Sequence, residues 1–105
     1  MFGLGYYKLH GEEFGEEIVD ELDVTFGRIK DEPSRNFVGL GSSTKLSREH
    51  LRIFWKQRWY AEVLGKNGAT IDCIYRGRHE IVELRHLTPV LLGDCKFFFM
   101  LPQHP

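Results

Sequence analysis

At 105 residues the chain has room for one domain with a single core and no second module. Hydrophobic residues make up 42%, with eight Phe, four Tyr and two Trp, which argues for a packed globular unit and against disorder. A formal net charge of −1 excludes a global nucleic-acid footprint and implies no basic partner, so any anion recognition must be local.

No apolar run approaches the ~20 residues that span a bilayer. The opening Met1-Phe2-Gly3-Leu4-Gly5 lacks the basic and long apolar segments of a signal peptide, so Cys73 and Cys95 are expected to be reduced. Residues 4–10 read as an aromatic-rich first strand. An acidic stretch follows, from Glu12 to Asp23, with Phe14, Ile18, Val19 and Leu22 set among the carboxylates. Their spacing fits a helical turn or two, or a short extended piece around Ile18-Val19. Its carboxylates read as a solvated face.

Leu22, Val24 and Phe26 alternate with Asp23 and Thr25, predicting a strand that ends at Gly27-Arg28. A charged loop with Pro33 follows, then a brief strand over Phe37-Val38-Gly39-Leu40 and a loop over 41–45. Gly39-Leu40-Gly41-Ser42 has the look of a phosphate-cradling glycine turn, but no helix follows to supply a dipole, so a nucleotide loop is rejected. Ser47-Arg48 leads into a strand in which Leu51, Ile53 and Trp55 alternate with His50, Arg52 and Phe54. The chain reverses near Gln57-Arg58 and returns through Trp59, Ala61 and Val63, a hairpin pattern. Asn67-Gly68 is the strongest turn signal. Short strands are expected at 69–71, 74–75, 80–84, 90–92 and 96–101, the last closed by Pro102. About eleven short strands without a convincing helix make an all-β sandwich the natural closed solution.

Taken in order, Gly27-Arg28, Ser47-Arg48-Glu49-His50, Asn67-Gly68 and Leu92-Gly93-Asp94 ahead of a Phe-rich last strand resemble the forkhead-associated (FHA) domain. The resemblance covers residues 4–102. The wording Val63-Leu64-Gly65-Lys66-Asn67-Gly68 resembles the branch of forkhead box class K factors, fungal forkhead-like regulators and small plant FHA proteins. It favours the extended piece around Ile18-Val19 over a helical turn, and implies an eleven-stranded, antiparallel-rich sandwich of two sheets whose loops at one end bind a phosphothreonine peptide. It also implies a monomeric module without catalysis, cofactor or membrane contact, carried by a nuclear transcription- or signalling-linked protein. No winged-helix segment is present, so DNA binding is not carried over.

Residue by residue, the resemblance makes Arg28 the arginine that contacts phosphate, Ser47 the hydroxyl donor and Arg48 a second phosphate-facing group. Asn67 is the asparagine that bonds the peptide backbone, and His50 braces the loops without touching ligand. Gly27 and Gly68 let neighbouring backbone turn closely. Lys66 stands where many FHA domains carry Ser or Thr; a supporting phosphate contact is expected, with a solvent-pointing side chain as the alternative. Leu51 replaces the usual alanine of the core strand, and Ala69 the common threonine after Asn-Gly.

The chemistry fits these residue types. A phosphothreonine carries roughly −1.5 to −2 charges and three acceptor oxygens, and a guanidinium fork donates two bonds at once. For Arg28 the competing reading is a surface pair with Asp31 or Glu32. Ser47 and His50 lie three apart at a strand start with no third group, which argues against a nucleophile–base pair. Cys73, Cys95 and the five histidines show no paired ligand spacing, so no metal is expected. Two rivals remain: a phosphate-independent interaction domain using the sandwich faces, and a nucleic-acid-binding module using the Trp55–Tyr60 hairpin.

Overall fold

A computed structural model describes residues 6–29, 34 and 36–102. Leu4 and Gly5 of the expected first strand, most of the Pro33 loop and His104 lie outside them. The strands are β1 (Tyr7–Gly11), β2 (Gly15–Val19), β3 (Asp23–Arg28), β4 (Phe37–Gly41), β5 (Leu51–Trp55) and β6 (Trp59–Val63). They continue as β7 (Ala69–Ile71), β8 (Ile74–Arg76), β9 (Ile81–Glu83), β10 (Thr88–Leu92) and β11 (Cys95–Met100). One sheet has the order β2-β1-β11-β10-β7-β8 and the other β4-β3-β5-β6-β9. The expected all-β sandwich of eleven strands in two sheets is what forms.

Period-two burial builds the space between the sheets. Leu51 and Ile53 of β5, Trp59, Ala61 and Val63 of β6, and Phe97 and Phe99 of β11 are buried, while their alternate neighbours face outward. Tyr7 of one sheet meets Trp59 of the other edge-on, with ring centroids 4.8 Å apart, and Phe99 closes the cluster at 5.0 Å from Tyr7. Each such side chain contributes about 1.5–3 kcal/mol through burial. Burial, and secondarily the charge of Asp23, push the Tyr7 phenol above its usual range, so it stays neutral.

On the outer face Arg52 bridges three strands. It grips the Asp23 carboxylate through two bonds of 2.8 and 2.7 Å, reaches Glu62 at 3.0 Å and lies 4.3 Å above the Phe54 ring. That bond to Arg52 holds the Asp23 carboxyl below the usual range. Cys73 and Cys95 are both free thiols, Cys73 exposed and Cys95 buried. Burial, with Glu13 and Asp94 adding negative charge, pushes Cys95 up to about 11, which keeps it a thiol at neutral pH.

The acidic stretch takes the extended form that the resemblance favours: Gly15–Val19 pairs antiparallel with β1 as an edge strand, and Phe14 packs against Phe97 at 6.1 Å. Two expectations shift. Leu22 lies outside β3 and is half exposed, because that strand begins at Asp23 with its carboxylate bound to Arg52. β4 pairs parallel with β3, with an irregularity between Gly27 and Arg28.

The register sets the functional end. β3 ends, β5 begins and β6 ends at one end of the second sheet. In the first sheet β7 begins, β8 ends and β10 ends at that same end, to which the 64–68 segment leads. Loops 42–50, 64–68 and 77–80 therefore cluster there. The Asn67-Gly68 turn, with the Gly68 N–H on the Gly65 carbonyl at 3.0 Å, carries the chain from one sheet to the other.

Candidate functional site

Arg28 is the last residue of β3, and its N–H donates to the Ser47 carbonyl at 3.0 Å. The preceding residue must be glycine for that bond to form. A Cβ on Gly27 would stand 2.1 Å from the Arg48 carbonyl oxygen and 2.7 Å from that of Ser47. Backbone occupies the place of a side chain, so Ser47-Arg48 lies directly on β3. Arg28 is half-buried and Arg48 exposed, and both line one open groove of about 850 Å³ with Ile29, Glu49, Leu64, Arg78 and His79. Asp31 and Glu32, the carboxylates of the competing reading for Arg28, lie outside the described residues.

His50 is fully buried beneath the loops. Its Nδ1 accepts the Ser47 N–H at 3.0 Å and its Nε2 is 2.7 Å from the Gly68 carbonyl. A backbone amide can only donate and a carbonyl only accept, so the ring is the neutral tautomer with its proton on Nε2. Its main chain is engaged too: the His50 N–H reaches the Phe26 carbonyl at 2.8 Å, and the His50 carbonyl accepts from Leu64 at 2.8 Å and Gly65 at 3.1 Å. One residue thus ties β3, the Ser47 loop and the 64–68 turn together. Gly68 sits at φ +76, with the Tyr75 hydroxyl and Arg76 carbonyl where a Cβ would go.

Lys66 and Asn67 are exposed on that turn. Asn67 lines a smaller recess beside the main groove, with Lys45, Gly68, Ala69, Thr70, Tyr75, Leu91 and Gly93. Its carbonyl accepts the Tyr75 hydroxyl at 3.2 Å, which leaves the side-chain amide outside that bond. Arg28 and Arg48 share a wall, Ser47 is fixed between Arg28 and His50, and Lys66-Asn67 lie on the neighbouring loop; neither Ser47 nor Lys66 lines the groove itself. Such an arrangement can present fixed cationic forks and hydroxyl and amide groups to an anionic, extended ligand.

No family model matches the sequence. The FHA domain-containing protein FHA1 of Arabidopsis thaliana is 32% identical over 105 residues, covering 94% of this chain and 41% of that protein. The transcriptional activator FHA1 of Nicotiana tabacum is 32% identical over 104 residues, covering 93% of this chain and 49% of that protein. The chain belongs to the FHA family. A solved FHA domain, from work on phosphothreonine-dependent FHA domain interactions, superposes with a TM-score of 0.69 at 21% identity, covering 95% of this chain and 98% of that one. This FHA domain spans less than half the length of the two plant relatives. As a family member it is a non-catalytic binding module.

Three participants of this FHA domain escape a reading of the sequence. Gly65 abuts the His50 ring, which a Cβ there would meet at 2.6 Å. Tyr75 holds the Asn67 carbonyl from the next hairpin. Arg78 joins the groove from the 77–80 turn, its Nε–H on the Leu64 carbonyl at 3.0 Å. Gly65 stands inside the recognised hexapeptide, which was signal enough; Tyr75 and Arg78 come from segments whose local pattern says only strand and turn.

The Trp55–Tyr60 hairpin turns at the opposite end. Trp59 is buried, Trp55 packs edge-on against it at 5.3 Å, and Tyr60 stacks on Phe54 at 5.8 Å. Arg52 and Arg58 face carboxylates, Arg58 reaching Glu83 at 3.4 Å. The Trp55, Trp59 and Tyr60 rings and both arginines there already have protein partners.

Proposed function

We propose that the loop end of this FHA domain binds a phosphothreonine-containing segment of a partner protein. The observation that carries the reading is the placement of Arg28 and Arg48 on one groove, beside a Ser47 whose backbone is held from both sides. Arg28 and Arg48 are read as the phosphate forks, Ser47 as the hydroxyl donor and Asn67 as the group that bonds the peptide main chain. Gly27, His50 and Gly68 support the loops. Affinity near micromolar, about −8 kcal/mol, follows from a few charge-assisted bonds less the cost of ordering the peptide. Likeness to a transcriptional activator supports a nuclear protein as the carrier.

The test is titration of the domain with a library of phosphothreonine peptides, each with unphosphorylated and phosphoserine counterparts, and a nucleic-acid control. Binding should require the phosphate. The threonine methyl should add roughly fourfold over phosphoserine if it finds an apolar niche near the Asn67 loop, since a buried methyl is worth about 0.8 kcal/mol. Equal affinity with and without phosphate would return the domain to the phosphate-independent alternative, and selective capture of the nucleic acid to the other.

Lys66 adds a separate expectation. If its ammonium supports the phosphate, Lys66→Ala weakens binding and flattens its dependence on salt, because one partly screened contact is lost. Lys66→Thr should restore part of the affinity but not the salt slope. Unchanged affinity and slope in both variants, measured at two ionic strengths, would remove Lys66 from the site.

A further inference from the structure

The described residues bring more guanidiniums to the groove than one phosphate needs. Among the described residues, three guanidiniums, Arg28, Arg48 and Arg78, line it against one carboxylate, Glu49. We propose that Arg78 reads a second anionic residue, a carboxylate or a phosphate, close to the phosphothreonine in the same bound peptide; this rests on the phosphothreonine reading above.

Arg78 is exposed yet fixed. Its Nε–H is spent on the Leu64 carbonyl at 3.0 Å, and Leu64 is itself held by the His50 carbonyl at 2.8 Å. The guanidinium is therefore anchored to the backbone segment that leads into Lys66 and Asn67. Its four remaining N–H donors form no bond to a described protein group. The nearest acid in its own turn is already engaged. Glu80 accepts the Gly77 N–H and lies 3.8 Å from Arg76, so it does not neutralise Arg78.

The turn that presents Arg78 is held at a conformational cost. His79 has φ +75, a region that side-chain-bearing residues rarely adopt. Bonds on both sides impose it: the His79 N–H on the Val63 carbonyl at 2.7 Å, and the Glu80 N–H on the Gly77 carbonyl at 3.1 Å. Those bonds keep the 77–80 turn pressed on the end of β6, with Arg78 and His79 both at the groove wall.

The probes are phosphothreonine peptides in an alanine background, with one glutamate walked from four residues before to four after the phosphothreonine. A second set carries phosphoserine at the same positions. Wild-type protein should gain about three- to tenfold from glutamate at one or two adjacent positions, the size of a partly screened charge-assisted contact, and more from phosphate. Arg78→Gln should erase that gain, read as the ratio of the glutamate peptide's Kd to the alanine-background Kd within the same variant, so that loss of the Leu64 bond acts on both peptides and cancels. Lysine at the same peptide position should weaken wild-type binding, which tests the charge without any protein variant. If the alanine-background peptide fails to bind, the phosphothreonine reading itself falls. If it binds but no position gains from added charge, or Arg78→Gln keeps the gain, the role of Arg78 is overturned and the parent reading stands. A gain from phosphate alone would assign the subsite to a doubly phosphorylated segment, and a gain from both to acidic segments as well.

Discussion

Replacing Arg28 with alanine is expected to take phosphothreonine-peptide binding below the limit of titration calorimetry while the fold survives. The fold survives because the bond that joins β3 to the Ser47 loop runs from the Arg28 backbone N–H, which alanine keeps. Lost with the side chain is a fork worth two charge-assisted bonds, each about 1.5–3 kcal/mol. That is about a hundredfold or more, enough to move a micromolar complex toward millimolar. Ser47→Ala should follow in the same direction with a smaller loss, since a neutral hydroxyl is the weaker partner. Parent-like affinity in Arg28→Ala, with an unchanged melting curve, would place the phosphate elsewhere.

His50→Ala should do the reverse and strike stability first. The ring is fully buried, and its removal strands the Ser47 N–H and the Gly68 carbonyl and opens a cavity between them. Each buried orphan costs about 1–3 kcal/mol, and the void adds to that. A total near 3 kcal/mol lowers the midpoint by roughly 12–24 °C in a domain of this size. Binding should weaken as well, because the two loops that the ring ties together would no longer share one position. A thermal midpoint within about 3 °C of the parent would show that the main-chain bonds of His50 hold the loops without the ring.

Where side chains alternate cleanly, the strands were legible in the sequence. Leu51-Ile53 and Trp59-Ala61-Val63 face inward as their pattern required. In the 12–23 stretch spacing alone did not decide, since Phe14, Ile18 and Val19 satisfy a helical spacing as well as a short strand, and only the resemblance favoured the strand. Pairing with β1 decided it, and no local pattern encodes a partner. The parallel pairing of β4 with β3 was hidden for the same reason. Motif resemblance named Arg28, Ser47, Arg48, Lys66 and Asn67 together. The close approach that makes Gly27 obligatory became visible only once the Arg48 carbonyl stood 2.1 Å from the missing Cβ. Arg78 could not be foreseen, because the 77–80 turn meets Leu64 only after the two sheets close.

The pairing of β1 with β11 has an architectural consequence. Lys8 stands opposite Met100 and Gly11 opposite Phe97, so the start of β1 and the finish of β11 are neighbours on adjacent antiparallel strands. They leave the sandwich side by side, from the pole opposite the 42–50 and 64–68 loops. An attachment made at either point starts from the pole away from the groove. Tandem copies, a dye or a surface tether could be attached there without screening the peptide, and a short linker between the two points would give a circular permutant with its loops undisturbed.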